Sequence, residues 1–331
     1  MKQTSNLRLR LKYLVSLGIP VSYIDRIRNI LSLRYIFLFD RKLRKRVLEL
    51  LKKYDTPISE NLELLKSLNK EFQTINNIKN YTFDNLKLSA KHRFNYLKSK
   101  GLDFKNKKMA DFGSGHGENL FLCKELGFNE AVGLDFSDKD FLPHENDLPK
   151  ESFQAIEFKT LDLVHDPLEI KDFDLITSCS AFEHFHDPSE VLDKCYNGLK
   201  RGGYLYAEFA AFNSPYATHR KIFSGVPHIQ NIFNAEVSFE FFYDFLKIND
   251  KRNRYTNEPI TDGNPYPEVN RLLIEDYERI FLDKTKWEVV EYIKVYNYQY
   301  HWFIKCFSEQ FKDKNKDYKY VDYLKFLIKK K

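Results

Sequence analysis

The residues best suited to chemistry form a glycine-rich segment near the middle of the 331-residue chain. It reads Asp111-Phe112-Gly113-Ser114-Gly115-His116-Gly117 and follows the short apolar run 108–112. Alternate glycines let a backbone turn sharply and approach a ligand without interference from side chains. A helix that is predicted to begin near Gly117 would point its free N–H groups at the same ligand. Nicotinamide and flavin folds use similar loops, so this segment alone does not define the ligand.

Three aspartates narrow the choice of ligand. Asp111 lies two residues before the first glycine, where an anion would repel a pyrophosphate but suits a cationic amino acid moiety. Asp135 ends the next predicted strand, where a carboxylate can accept hydrogen bonds from both hydroxyls of a ribose. Asp162 follows the third predicted strand and is placed to meet an adenine amino group. Together they predict a site for a nucleoside that carries a positively charged amino acid.

Alternating strands and helices position these residues. Strands are predicted over 108–112, 131–135, 155–161, 173–178 and 204–209, closed by a pair at 287–295 and 299–306. Helices are predicted over 41–53, 60–72, 89–100, 188–199 and 269–282, with a further one from Gly117 to near Gly127. The alternation implies an α/β fold with a doubly wound, mostly parallel, seven-stranded Rossmann-like sheet.

The pattern predicts three regions. Residues 1–100 form a basic, helical N-terminal extension, and residues 101–306 form the nucleoside-binding domain. An aromatic, Asn-rich insertion after strand 5, residues 211–285, is predicted to serve as an acceptor-binding cap. Residues 307–331 are predicted to form a basic tail.

The middle of the chain, about residues 105–210, resembles the class I S-adenosylmethionine-dependent methyltransferases. ADFGSGHG is similar to their first motif, GLD to their second-strand acid, DFDLITS to their fourth strand and LKRGGYLYAEF to the entry into their fifth. EHFHDP, residues 183–188, is similar to the EHxxDP stretch of small-molecule, type 11-like members. The combination is far more specific than a glycine-rich loop alone.

The resemblance implies S-adenosylmethionine as the cofactor. Asp111 would hold its amino group directly or through water, Asp135 its ribose, and Asp162 with the backbone of Leu163 its adenine. The other residues implied in cofactor binding are Gly113, Ser114, Gly115, Gly117, Phe136 and Ser178.

The resemblance also implies catalytic roles for Glu183 and His184. In several similar enzymes the histidine aligned with His184 removes a proton from the accepting hydroxyl, which suits an imidazole because its pKa lies near neutrality. A histidine that only packs or caps is the alternative. Quinone-pathway O-methyltransferases are similar here and use a Glu-x-x-Glu-His metal arrangement. Ser180 stands where the first Glu would fall, so we predict no metal.

Charged and aromatic residues of the insertion are candidates for acceptor binding. We single out His219, Arg220 and His228, because they follow the fifth strand and Arg220 can pair with a phosphate or carboxylate. Since the chain holds 29 Phe and 21 Tyr, most of its aromatic rings are expected to be core.

Composition and charge bear on location and partners. Four cysteines without a CxxC pair argue against a disulfide frame or structural zinc and fit a reducing cytoplasm. Residues 1–55 hold 14 Lys+Arg against 4 Asp+Glu, and residues 312–331 hold 8 Lys against 3 Asp. Such basic ends predict peripheral contact with an anionic inner membrane face, although a solvated lysine-rich surface is the alternative.

The resulting expectation is O-methylation of a small-molecule or glycan acceptor, such as a surface-polysaccharide or lipid-linked sugar. An RNA methyltransferase and a non-catalytic S-adenosylmethionine-binding module are the alternatives, and Asp111 disfavours a nicotinamide-dependent oxidoreductase. Residues 177–180 bear no likeness to the Asn/Asp-Pro-Pro-Tyr motif of enzymes that methylate base amino groups. Nucleic acid is therefore not the expected partner.

Overall fold

The seven strands of the protein form a single mixed sheet. The computed structural model describes residues 42–54, 57–73, 83–115, 117–137, 156–217, 224–248, 263, 265–266, 268–312 and 318–331. The strands are β1 (Lys108–Phe112), β2 (Glu130–Asp135), β3 (Ile156–Thr160), β4 (Phe173–Cys179), β5 (Leu199–Phe209), β6 (Trp287–Tyr296) and β7 (Val321–Lys330). Their order in the sheet is β3-β2-β1-β4-β5-β7-β6, with β1 to β5 parallel and β7 antiparallel to both β5 and β6. The predicted fold class is confirmed.

Nine α-helices lie among the described residues. They are α1 (42–51), α2 (Leu62–Gln73), α3 (Phe83–Ser99), α4 (Cys123–Leu126), α5 (Pro188–Gly198), α6 (Ile229–Ile232), α7 (Ala235–Ile248), α8 (Ile274–Phe281) and α9 (His301–Cys306). In the described part of the chain, no helix has both the length and the apolar character needed to cross a bilayer.

The closing strands differ from the prediction. Residues 299–306, predicted as a strand, include helix α9, and the last strand is β7. A short apolar run such as Trp302-Phe303-Ile304 has no period that separates a buried strand from a buried helix. The prediction of a tail at 307–331 is likewise wrong for residues 321–330, which pair with both β5 and β6.

The basic C-terminal residues serve the sheet. The Lys325 ammonium lies 3.1 Å from the Glu208 carboxylate, and Lys330 donates to the Leu199 carbonyl at 2.7 Å. Leu324, in the same strand, is fully buried. The lysines at 325, 329 and 330 hide a strand in the sequence because their charge suggests a solvated segment. Part of this charge is therefore compensated inside the protein.

Helices cover both faces of the sheet. On one face, α3 and α4 bury a cluster that includes Phe94, Leu97 and Leu175. On the other, α5 and α8 bury a larger cluster that includes Tyr277, Phe281 and Phe326. Because β1 lies between β2 and β4, near the centre of the sheet, the turn that follows β1 lies between the ends of its two neighbours.

A third apolar cluster, called the cap cluster here, draws on three distant parts of the chain. Its buried members are Leu43, Val47, Leu64, Leu65, Leu68 and Phe72 from α1 and α2; Val226, Ile229, Ile232, Phe233, Val237, Phe241, Phe242 and Tyr266 from the insertion; and Phe303, Ile304, Phe307 and Phe311 after β6. The chain enters and leaves it after β5, after β6 and before β7, all at the carboxyl edge of the parallel strands. The predicted N-terminal extension is thus split, since α1 and α2 belong to the cap cluster and α3 to the sheet.

Candidate active site

The turn after β1 is closely packed on one side. The N–H groups of Gly113 and Ser114 both donate to the Leu134 carbonyl, at 2.8 and 3.1 Å. Gly113 has φ +71°, and a Cβ there would lie 2.4 Å from the Cβ of Ala181 in the loop after β4. Glycine is therefore required at 113 by both its backbone conformation and the approach of a second loop.

The same turn is open at Gly115. This residue has φ +49°, and within the described part of the chain a Cβ added to it would meet nothing within 4 Å. Its N–H donates to Asp135 Oδ2 at 2.8 Å, so the turn and the end of β2 are joined directly. A bare backbone beside open space and a carboxylate is a suitable cradle for the polar part of a nucleoside ligand.

The chain beyond Gly117 is less regular than predicted. Instead of one continuous helix to Gly127, a 3₁₀ turn over Leu120–Leu122 leads into the short α4. The Gly117 N–H donates to the Ser114 carbonyl at 2.8 Å and is therefore not available to a ligand. The Ser114 side chain lies beneath the turn and is buried, against Gly133 of β2.

Asp111 lies at the centre of a buried hydrogen-bond network. Its carboxylate accepts from Asn119 Nδ2 at 3.0 and 3.1 Å and from the Thr177 hydroxyl at 2.5 Å. Burial raises the pKa of Asp111 to about 7, against the lowering effect of the Thr177 hydroxyl. The group can therefore exchange its proton near neutrality and bind a cation once ionised.

The remaining predicted cofactor residues differ in how they are placed. Asp162 follows β3, and its Oδ1 accepts from the N–H groups of Val164 and His165 at 2.8 and 3.2 Å. Leu163 is buried beside it, while Phe136 is partly exposed after Asp135. These positions line the carboxyl ends of β2 and β3. The Ser178 hydroxyl lies inside the sheet and donates to the Phe112 carbonyl at 2.8 Å, so it ties β4 to β1.

The loop after β4 holds the two predicted catalytic residues in a rigid frame. Asn270 donates its side-chain N–H groups to the carbonyls of Phe182 and Phe185, both at 2.8 Å, and its backbone N–H to the Glu183 carbonyl at 2.8 Å. The Tyr277 hydroxyl adds a bond to the Phe182 carbonyl at 3.1 Å. The segment before α8, which was predicted to be helical from 269, thus clamps this loop instead.

The His184 ring is oriented by the same segment. Its Nδ1 forms a short hydrogen bond with the Glu268 carbonyl. Because a carbonyl oxygen can only accept, Nδ1 carries the proton, and the neutral imidazole has its basic lone pair on Nε2. Glu183 is only 3% exposed. No group of metal-ligating side chains occurs among the described residues.

The structure places the predicted acceptor residues differently from the cofactor residues. His228 is fully buried, its ring meets Phe311 edge-on at 5.2 Å, and its Nδ1 lies 3.1 Å from Asn231 Nδ2. It therefore packs against the cap cluster through Phe311 and does not lie on an open surface. His219 and Arg220 lie outside the described residues.

Sequence reasoning missed the residues that hold the site together. Thr177 lies opposite Asp111 in the register of β1 and β4, and Asn119 lies two residues beyond Gly117. Thr177 offered a signal, since the predicted strands β1 and β4 could have been aligned by their ends, whereas Asn119 could be noticed only by its closeness to the glycine-rich segment. Arg93, whose guanidinium donates to Asn119, and Asn270 are distant in sequence and carried no local signal.

A comparison with protein families identifies the class of enzyme. Residues 110–207 match the family described as Methyltransferase domain. This part of the chain is a methyltransferase domain. The matched residues contain the turn after β1, Asp135, Asp162 and the His184 loop. The predicted enzyme class and cofactor are confirmed, and the EHxxDP subgroup stays a prediction.

Solved structures of similar shape are distant. They include an S-adenosylmethionine-dependent methyltransferase from Mesorhizobium loti, at 12% identity, 72% coverage of this chain, 97% of that chain and TM-score 0.44. Another, from Methanosarcina mazei, has 14% identity, coverages of 71% and 96%, and TM-score 0.42. The magnesium protoporphyrin IX methyltransferase of Synechocystis, solved with bound S-adenosylhomocysteine, has 11% identity, coverages of 74% and 83%, and TM-score 0.42. A search of curated proteins gives no significant match.

Proposed function

We propose that this methyltransferase transfers its methyl group to a hydroxyl of a small-molecule or glycan acceptor, with His184 as the general base. The observation that carries the proposal is the hydrogen bond from His184 Nδ1 to the Glu268 carbonyl. It fixes the tautomer in which Nε2 can take a proton, and the Asn270 clamp holds the loop that bears the ring. A positioned base of this kind contributes roughly 10²–10⁴-fold to rate.

The cofactor's place is proposed from the acids around the turn. Ionised Asp111 would attract the amino group, Asp135 would accept from the ribose hydroxyls beside Gly115, and Asp162 with the Leu163 backbone would meet the adenine. The open space at Gly115 and its bond to Asp135 fit such a ligand. Gly113 would act through the shape of the turn, whereas Ser114, Gly117 and Ser178 support the site from beneath.

The chemistry requires little from the protein beyond positioning. S-adenosylmethionine, when bound, supplies a methyl group on a sulfonium that leaves as a neutral thioether. His184 Nε2 would take the proton of the acceptor hydroxyl during this transfer. The protein therefore accelerates the reaction chiefly by alignment and by removing that proton.

The acceptor is proposed to bind between the carboxyl edge of the sheet and the cap cluster. Phe212, which leaves β5, donates its N–H to the Leu272 carbonyl at 2.9 Å and meets Tyr266 of the cap cluster edge-on at 5.6 Å. These contacts connect the cap cluster with the segment that clamps the His184 loop. Aromatic rings in this position suit a sugar or another ring, which supports a glycan among the possible acceptors. The roles of His219 and Arg220 in acceptor binding remain part of the proposal.

A cytoplasmic location with contact at an anionic membrane face also belongs to the proposal. It is supported by the excess of Lys+Arg in residues 1–55 and would bring a lipid-linked sugar to the site. Sedimentation with anionic and neutral vesicles tests it. Equal retention on both vesicle types, or on neither, would contradict membrane contact.

An acceptor screen with labelled S-adenosylmethionine tests the proposed function. The panel should hold small hydroxyl compounds, lipid-linked oligosaccharides and RNA. Label transferred to a hydroxyl, lost in His184→Ala and kept in His186→Ala, is the expected result; His186 is the exposed matched control two residues away. Transfer to RNA, or equal turnover in His184→Ala, would contradict the assignment of acceptor or base.

A further inference from the structure

Arg93 is a charged side chain that no sequence motif drew attention to. It lies on α3, outside the residues that match the methyltransferase family, and its side chain is 15% exposed. Its guanidinium forms a short hydrogen bond with Asn119 Oδ1 and lies 3.5 Å from Glu118 Oε1. The helix packs on the same sheet face that carries Asp111 and Thr177, so Arg93 is directed at the end of β1.

Arg93 determines which way Asn119 faces. A guanidinium can only donate, so it requires the amide oxygen of Asn119 on its side. The amide nitrogen must then point the other way, where it donates to both carboxylate oxygens of Asp111 at 3.0 and 3.1 Å. Asn119 and Asp111 are each 2% exposed, which leaves little room for water to replace either bond.

We propose that Arg93 is a positioning residue for the cofactor site: through Asn119 it orients the Asp111 carboxylate and favours the ionised form that attracts a cationic amino group. This inference rests on the proposed role of Asp111 in binding the cofactor. Arg93 acts through Asn119, so it is assigned no contact with the cofactor or the acceptor.

The groups around Asp111 determine whether the loss of Arg93 would raise or lower the pKa of this carboxyl. Burial raises its pKa, the Thr177 hydroxyl lowers it, Glu118 raises it, and Asn119 and Arg93 lower it. Two thiols face the group from other elements: Cys179 of β4 and Cys123 of α4. Burial raises the pKa of both, to about 12 for Cys179, so near neutrality neither adds a charge.

Arg93 contributes the positive charge near Asp111 and Glu118. It also faces the carboxylate of Glu208 in β5. Removing Arg93 would leave Asp111 beside Glu118 with no compensating charge from α3. The pKa of Asp111 should rise further, and ammonium binding should then require a higher pH. A substitution that merely loosens α3 would instead weaken binding equally at all pH values.

Two measurements on the full chain test the inference. The first follows the ¹³C carboxyl signal of Asp111 with pH in cofactor-free protein, and the second measures S-adenosylhomocysteine affinity across the neutral range. The variants are Arg93→Met, Arg93→Lys and Asn119→Ala, with Lys91→Met as a matched control. Lys91 lies on the same helix, its side chain is 59% exposed, and its ammonium is 3.9 Å from Glu125.

We expect Arg93→Met to raise the titration midpoint of Asp111 by about one pH unit. At pH values below the midpoint, this shift should lower the affinity for S-adenosylhomocysteine about tenfold. Asn119→Ala should shift it in the same direction, Arg93→Lys by less, and Lys91→Met not at all. An unchanged Asp111 midpoint in Arg93→Met would overturn the inference, as would a loss of affinity that is independent of pH. If Arg93→Met does not fold, an Asp111 midpoint in Arg93→Lys equal to that of the wild type would overturn it.

The carboxyl titration separates this inference from the proposed function. Failure of wild-type protein to bind S-adenosylhomocysteine would contradict the proposed cofactor site. The Asp111 midpoints would still show whether Arg93 controls its ionisation.

Discussion

The carboxyl edge of the sheet and the cap cluster are built in different ways. At the sheet edge, each functional residue lies at a strand end or in the turn that follows it, within residues 111–184. The cap cluster gathers side chains from residues 43–72, 226–266 and 303–311, which are far apart along the chain. The first region depends on local backbone geometry and the second on long-range packing.

This difference shows where specificity is encoded. A turn such as Gly113–Gly115 needs particular residues at fixed spacing, because positive φ and close approach exclude most side chains. A cluster of Phe, Leu and Ile needs only apolar volume, which many arrangements supply. The turn at the sheet edge is therefore recognisable in the sequence, and the cap cluster is not.

The largest effect is expected where the two regions meet. His184→Ala should lower turnover by about 10²–10⁴-fold, because the proton acceptor is lost. S-adenosylhomocysteine affinity should stay within about twofold, since the ring is proposed to act on the acceptor. Turnover and calorimetry on His184→Ala and His186→Ala provide the test. A large loss of cofactor affinity in the His184 variant would place the ring in the cofactor half instead.

Asp135→Ala tests the cofactor half itself. Loss of a carboxylate that would accept from the ribose hydroxyls and already accepts from Gly115 should weaken S-adenosylhomocysteine binding about 10- to 100-fold. Asp103→Ala is the control, because Asp103 is exposed and accepts from the Lys105 N–H at 3.1 Å, away from the turn. Equal affinities in the two variants, measured by calorimetry, would remove Asp135 from the site.

Asn270→Ala tests the clamp that joins the regions. The Phe185 carbonyl would lose its Asn270 donor, and the Phe182 carbonyl would keep only the Tyr277 hydroxyl, at an expected cost of about 1–3 kcal/mol in the free energy of unfolding. Urea unfolding measures this cost. Turnover should fall while S-adenosylhomocysteine binding is retained. Unchanged turnover with the full loss of stability would show that the clamp does not position His184.

Asp111→Asn should give the smallest effect. It should stabilise the folded protein, whereas Asn270→Ala should destabilise it. Because burial raises the pKa of Asp111 to about 7, ionisation destabilises the folded, cofactor-free protein as pH rises from about 4, and the effect is complete above about 7. The variant removes this penalty, so its Tm should exceed that of the wild type by a few degrees at pH 8 and by less at pH 4. Thermal unfolding at both values checks it; a lower Tm at pH 8 would contradict the raised pKa.

The sequence allowed much of the sheet edge to be predicted. The first five strands and the placement of Asp111, Asp135 and Asp162 at strand ends follow from apolar runs, turn residues and strand spacing. β7 was missed because Lys325 and Lys329 suggest a solvated tail. Its buried residues become apparent only once the strand lies between β5 and β6.

The cap cluster and the supporting residues were beyond sequence reasoning. Nothing in residues 43–72 indicates that they share a core with residues 226–266. Arg93 and Asn270 act on groups that lie 18 or more residues away along the chain, through bonds that only the folded chain creates. The acceptor role of His228 stays a prediction, because a buried histidine in an aromatic insertion can line a ligand site or pack in a core.

Titration calorimetry of the purified chain with S-adenosylhomocysteine, and with NAD as the comparison, tests the central claim most directly. The claim is that two strand-end aspartates and the open turn at Gly115 bind the methyl-donor nucleoside. Saturable one-site binding of S-adenosylhomocysteine, with no binding of NAD, is the predicted result. No binding of S-adenosylhomocysteine, or tighter binding of NAD, would contradict it.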